Sequence, residues 1–175
     1  MSPQTQAVIV SCSGLTVTPL ERSLFESMKP FGFILFARNI ADKIQLKKLC
    51  TDLRASVGWD CPILIDQEGG RVRRMRPPRW ADYPSMKSIG DTGDKELLLK
   101  TVRGISDDLN AVGIDVDCAP VLDVLFEKTH QAIGDRAFSH DPDVVSALGA
   151  LACETFINEG ITPVIKHMPG QGRST

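Results

Sequence analysis

The stretch Ile63-Leu64-Ile65-Asp66-Gln67-Glu68-Gly69-Gly70-Arg71-Val72-Arg73-Arg74 passes from an aliphatic triplet straight into two acids, two glycines and three arginines. The triplet is too short for a helix and reads as a strand buried on both faces. Four further apolar runs have the same character, at residues 7–10, 33–36, 114–116 and 161–165. Helical patterns lie between them. Asp42 is a candidate cap for a helix whose apolar residues Leu46, Leu49, Leu53 and Val57 follow a helical period. Leu98, Val102, Ile105, Leu109 and Val112 keep a helical period too, and Gly113 is placed to end that helix. Asp141 followed by Pro142 supplies a cap and a first-turn proline ahead of Val145, Leu148, Leu151, Ala152, Thr155 and Phe156, with Gly160 closing the helix. The order is β-α-β-α-β-α-β-α-β. Such alternation predicts parallel strands with helical crossovers, either an open doubly wound sheet or part of a (β/α)8 barrel, and periodicity alone does not choose.

The whole chain agrees with one globular α/β domain. It has 175 residues, 42% of them hydrophobic and 24% charged, with 20 Lys+Arg against 22 Asp+Glu and a formal net charge of −2. A chain of this size buries roughly 70% of its unfolded surface, so it needs neither disulfides nor a structural metal. Near-neutrality argues against a surface built to neutralise phosphates, so nucleic acid is not expected as a partner. Cys12, Cys50, Cys61, Cys118 and Cys153 are odd in number and widely spaced. They read as reduced thiols buried as small hydrophobes in a cytosolic protein. No secretory signal and no membrane span is recognised, so a cytoplasmic location without membrane attachment is expected.

Long loops after strand carboxyl ends are where α/β folds place their chemistry. The stretches 68–92 and 119–140 are long and rich in Pro, Gly and charge. Asp66 directly follows a buried run; its carboxylate is suited to accept two hydrogen bonds from vicinal sugar hydroxyls, and the glycines let backbone approach a ligand. Composition does not choose which of Arg71, Arg73 and Arg74 accompanies it, and a simple Asp–Arg pair at a strand end is the plainer alternative. Lys166 and His167 place two hydrogen-bonding groups where the fifth strand stops. Arg136 is a candidate planar donor, against the alternative of a loop ion pair with Asp135 or Asp141. Asp115, Asp117 and Asp123 are too weak a set for a metal site and are expected to be structural or loop-anchoring. His130 and His140 are expected to pair with Asp141 or Glu127. The tail 170–175 resembles a phosphate loop but fails on spacing, since His167 and Arg173 stand where a Gly and a Lys are required.

The segments GFILFARNI, LIDQEGGRVRRM, GIDVDCAPVLDV, IGDRAFS and VIKHMPGQG, in this order and spacing, resemble the family 3 glycoside hydrolases. Within the family they are most similar to the bacterial single-domain β-N-acetylglucosaminidases of peptidoglycan recycling. The resemblance implies about five βα units forming the N-terminal part of a TIM (β/α)8 barrel. Residues 1–175 would then be an incomplete glycoside hydrolase domain ending after strand five, with two open strand edges. It implies retaining removal of a terminal β-linked N-acetylglucosamine from muropeptide-derived saccharides, without a cofactor. The family's sugar-binding set falls on Asp66, Arg74, Arg136, Lys166 and His167. The family's nucleophile and the His of its Asp-Ser-His motif match no position in this sequence. No catalytic residue is therefore expected within it, and both groups are expected beyond Thr175. Gln171 stands where the family usually carries His. The alternative is a non-catalytic saccharide-binding or assembly module, including a half-barrel that pairs with another copy.

Overall fold

The structure, a computed structural model, describes residues 5–175. In chain order the elements are β1 (Gln6–Val10), α1 (Pro19–Met28), β2 (Pro30–Leu35), α2 (Lys43–Val57), β3 (Ile63–Ile65), β4 (Gln67–Gly69), β5 (Val72–Arg73), α3 (Met86–Thr92), α4 (Lys95–Val112), β6 (Val116–Asp117), α5 (Pro142–Asn158) and β7 (Thr162–Pro163). The strands β1-β2-β3-β6-β7 form one sheet in that order, and every neighbouring pair is parallel. This is the predicted alternation. The last two strands are shorter than their apolar runs, because the ladder holds only Val116–Asp117 and Thr162–Pro163 in register.

The helix ends obey the local chemistry read from the sequence. Asp42 accepts from the Gln45 N–H at 2.9 Å and Asp141 from the Asp143 N–H at 2.9 Å. Gly113 takes the left-handed conformation (φ 82°) that a side chain would strain. Leu46, Leu49 and Leu53 of α2, Leu98, Ile105 and Leu109 of α4, and Leu148 and Phe156 of α5 bury one face each against Phe33, Leu35, Ile63 and Ile65 of the sheet. At the two edges, Val8 and Ile9 of β1 and Val164 and Ile165 beyond β7 remain exposed.

The pattern supplies a helix between the first two strands without naming its residues, and it supplies none of β4, β5 and α3. Helix α1 carries an apolar stripe at Leu20, Leu24, Phe25 and Met28 but buries only Phe25 of it, leaving Leu20 and Leu24 exposed, and a capping box between Thr18 and Glu21 holds its start. The stretch 68–92 is not a plain loop: β4 and β5 form an antiparallel hairpin and α3 follows. Among the thiols, Cys12, Cys50 and Cys61 are buried as expected, but Cys118 and Cys153 are only half-buried. Burial pushes the Cys50 thiol up to about 12. Among the described residues no helix is long and apolar enough to cross a membrane.

Candidate functional site

The site is built at the carboxyl ends of β3, β6 and β7. Asp66 is the first residue after β3, and the chain continues directly into the hairpin. Its turn uses Gly69 (φ 83°) and Gly70 (φ 55°), and a Cβ on Gly69 would lie 2.5 Å from the Pro84 carbonyl oxygen. The hairpin returns Arg74 to Asp66, with Nη2 donating to Oδ2 at 2.8 Å. Successive side chains of an extended segment alternate, so Asp66 and Glu68 share one face while Gln67 points to the other. There the buried Gln67 amide closes the hairpin: Oε1 accepts from the N–H groups of Arg74 (2.9 Å) and Met75 (3.1 Å), and Nε2 donates to the Met75 carbonyl (3.0 Å).

Lys166, beyond β7, spans two carboxylates, with Nζ 2.9 Å from Asp66 Oδ1 and 2.5 Å from Glu68 Oε1. Glu68 is 3% exposed and is gripped on both oxygens by Arg136, Nε at 2.8 Å and Nη2 at 2.9 Å. The same Nη2 lies 3.3 Å from His167 Nε2, whose Nδ1 lies 2.6 Å from Asp123 Oδ2. A guanidinium only donates, so in this arrangement Nε2 accepts and the ring hydrogen on Nδ1 goes to Asp123. Asp123 Oδ1 accepts from the Gln171 N–H at 2.6 Å, tying the last loop to the cluster. Polar side chains therefore run without a break from Asp66 to Asp123.

Charge pairing sets the protonation of the cluster. Burial alone would raise the Asp66 carboxyl, but Lys166 and Arg74 outweigh it and hold the group below its ordinary range. For Lys166 burial is outweighed in turn by Glu68 and Asp66, which raise the ammonium. The Glu68 hydrogen bonds raise Arg136. A cavity of about 390 Å³ adjoins Lys166 and His167, walled by Val124, Phe126, Met168 and Arg173.

All five residues expected from the resemblance are thus brought together. The nucleophile and acid/base expected beyond Thr175 lie outside the described residues, which end at that position. Of the three candidate arginines, Arg74 reaches Asp66. Arg71 instead holds the loop, donating to Asp135 (2.6 Å) and to the carbonyls of Gln131, Ala132 and Ile133, and Arg73 pairs with Asp82. Arg136 binds Glu68 rather than Asp135 or Asp141, because the short helical turn at Gly134–Arg136 presents it toward the hairpin. His130 and His140 do not pair with acids: His130 Nδ1 accepts from the Ala132 N–H at 3.0 Å, and His140 Nδ1 lies 3.1 Å from the Leu125 carbonyl oxygen. Asp115 is structural, accepting from the Ile63 N–H at 2.7 Å and pairing with Arg54. Two members of the cluster had not been singled out for the site. Glu68 carried a signal in its i, i+2 spacing from Asp66; Asp123 carried none, since its partner is 44 residues away.

A network of paired charges at the carboxyl ends of sequential parallel strands, backed by helices, defines an α/β protein of the (β/α)-barrel class with its polar centre where that class keeps its sites. The chain matches, over residues 19–175, the family model described as the glycosyl hydrolase family 3 N terminal domain. It belongs to glycosyl hydrolase family 3. A beta-hexosaminidase of Bordetella avium (strain 197N) is 34% identical over 171 residues, covering 94% of this chain and 49% of the relative. A family 3 beta-N-acetylglucosaminidase from Paenibacillus sp. str. FPU-7 superposes with a TM-score of 0.89 at 32% identity, covering 95% of this chain and 32% of that one. NagZ from Neisseria gonorrhoeae, solved in complex with N-trifluoroacetyl-D-glucosamine, gives a TM-score of 0.88 at 28% identity, covering 97% of this chain and 51% of that one. The chain spans about half the length of the curated relatives it matches.

Proposed function

We propose that this chain carries the sugar-gripping part of a β-N-acetylhexosaminidase that removes terminal β-linked N-acetylglucosamine from peptidoglycan-derived saccharides in the cytoplasm, with retention of configuration and without a cofactor. The observation that carries the reading is the Asp66–Lys166–Glu68–Arg136–His167 network. Asp66 and Arg74 offer an acceptor and a planar donor side by side, Lys166 and Arg136 add charged donors, and His167 adds a ring nitrogen. That is a set able to saturate the hydroxyls of one pyranose and hold it rigidly. The relatives named beta-hexosaminidase, and the glucosamine derivative bound to the structural neighbour NagZ, support the substrate class.

The five residues are assigned to binding, not to bond cleavage. Retaining hydrolysis needs a nucleophile and a separate acid/base, and every carboxylate of this network is already committed to a cation or a histidine. Residues 1–175 are accordingly read as one incomplete barrel domain of a longer catalytic unit, with the reacting groups supplied from beyond Thr175. The test is titration of the chain with N-acetylglucosamine, observed by NMR, beside turnover of a chromogenic β-N-acetylglucosaminide by the natural gene product. Saturable binding that Asp66→Ala weakens at least about tenfold is expected, since a charge-assisted bond is worth roughly 1.5–3 kcal/mol. Absence of binding in the wild-type chain overturns the reading. Binding by a gene product that never hydrolyses the glycoside favours a saccharide-binding module instead.

A further inference from the structure

Asp117 is the carboxyl group at the site whose bonding is incomplete. It ends β6, paired in register with Ile65 of β3, and it is fully buried. Its Oδ1 accepts from the Gln67 N–H at 3.0 Å, while its buried Oδ2 has no hydrogen-bond partner among the described residues. The charged groups that face it are Lys166, Glu68 and Asp66, with the Cys118 thiol beside it. Lys166 bonds Asp66 and Glu68 rather than Asp117. Without Asp117 the cluster already balances, three carboxylates (Asp66, Glu68 and Asp123) against three cations (Arg74, Arg136 and Lys166). A fourth ionised carboxyl there would be buried with neither a counterion nor a full set of hydrogen bonds. Asp115, two residues earlier and half exposed, has both: a backbone N–H and Arg54.

We propose that Asp117 is a positioning residue of the site, a neutral carboxylic acid whose Oδ1 pins the Gln67 N–H and whose lack of charge leaves Lys166 to bridge Asp66 and Glu68. Burial pushes its carboxyl well above the ordinary range, against the opposing effects of the Gln67 hydrogen bond and Lys166. Gln67 lies between the two carboxylates that Lys166 bridges, so the bond from Asp117 fixes the spacing of both. Ionisation of Asp117 would draw the Lys166 ammonium off Asp66 and loosen the grip on a sugar. That last consequence rests on the saccharide-binding reading; the protonation state does not.

The test uses the 175-residue chain with ¹³C-labelled aspartate carboxyls. One Asp carboxyl is expected to resonate as a protonated acid at neutral pH, and that signal is lost in Asp117→Asn; a spectrum in which every Asp is ionised overturns the proposal even if no variant folds. A group whose folded pKa lies above its unfolded value contributes stability that is full below the unfolded pKa and lost as pH rises through the folded one. The urea midpoint of Asp117→Asn should therefore gain on wild type as pH rises from 4 to 8, whichever is the more stable at pH 4, and a variant that holds level or loses on wild type over that range counts against a neutral acid. For N-acetylglucosamine, Asp117→Asn should keep wild-type affinity within about threefold, since the amide oxygen still accepts from Gln67, while Asp117→Ala loses about tenfold. An Asn variant that binds as poorly as Ala overturns the positioning role. If wild type does not bind the sugar at all, the saccharide reading fails, and the carboxyl spectrum and urea series still decide the state of Asp117.

Discussion

Removing the Glu68 carboxylate is the most severe single perturbation of the network. In Glu68→Ala, Arg136 loses both of its carboxylate bonds and Lys166 loses one of two, leaving cations whose side chains are 14% and 13% exposed beside a vacated anion site. Breaking a buried ion pair from one side costs about 3–5 kcal/mol. Limited water access to both cations, and the Asp66 carboxylate still on Lys166, place the expectation at the lower end, about 3 kcal/mol. For a chain of this length that lowers the melting midpoint by about 6–12 °C, at roughly 2–4 °C per kcal/mol. Urea unfolding followed by tryptophan fluorescence, from buried Trp80 and the more exposed Trp59, measures it, and the m-value must stay constant for the comparison to hold. A double-mutant cycle with Arg136→Ala should return a coupling of at least about 1.5 kcal/mol. A Glu68→Ala chain within about 1 kcal/mol of wild type would refute the view that these charges depend on one another for burial.

Asp66→Asn removes a carboxyl that is held below its ordinary range, so wild type should lose stability relative to the variant as pH falls through the acidic region below about 4, with little change of that difference above pH 5. A urea-midpoint series against pH reads this directly. Gly172→Ala would drive a methyl group into the Val124 carbonyl; the loop must shift, at a cost of about 1–3 kcal/mol, and the Gln171 amide resonance, held by Asp123, should move. Thr18→Ala breaks the capping box of α1 and should cost about 1 kcal/mol in the same unfolding assay.

Most of the fold is legible because its determinants are local. Asp42 and Asp141 cap helices that bury Leu46, Leu53, Val145 and Leu148 at helical spacing, and the apolar triplet Ile63–Ile65 is a sheet strand. Helix α1 stands in the predicted order without residues named for it, although Leu20, Leu24 and Met28 keep helical spacing, and the hairpin escapes because strands of two or three residues carry no measurable alternation. For the site, Asp66, Lys166 and His167 announce themselves by following apolar runs. Glu68 and Asp123 do not, because what makes them part of the site are bonds to Arg136 and His167, 68 and 44 residues away in the chain. Such pairings exist only once the sheet has formed.

The side chains that would meet a sugar already hold one another: Arg74 and Lys166 on Asp66, Arg136 on Glu68, Asp123 on His167. An entering hydroxyl, which both donates and accepts, can slip between such partners without stripping either of its bonds. A lone inorganic anion must instead pull a cation from its carboxylate and leave that carboxylate bare. On the saccharide-binding reading, the network should therefore admit neutral polyols more readily than simple salts. Because its members are ordered before any guest arrives, little rotamer freedom remains to be lost on occupancy.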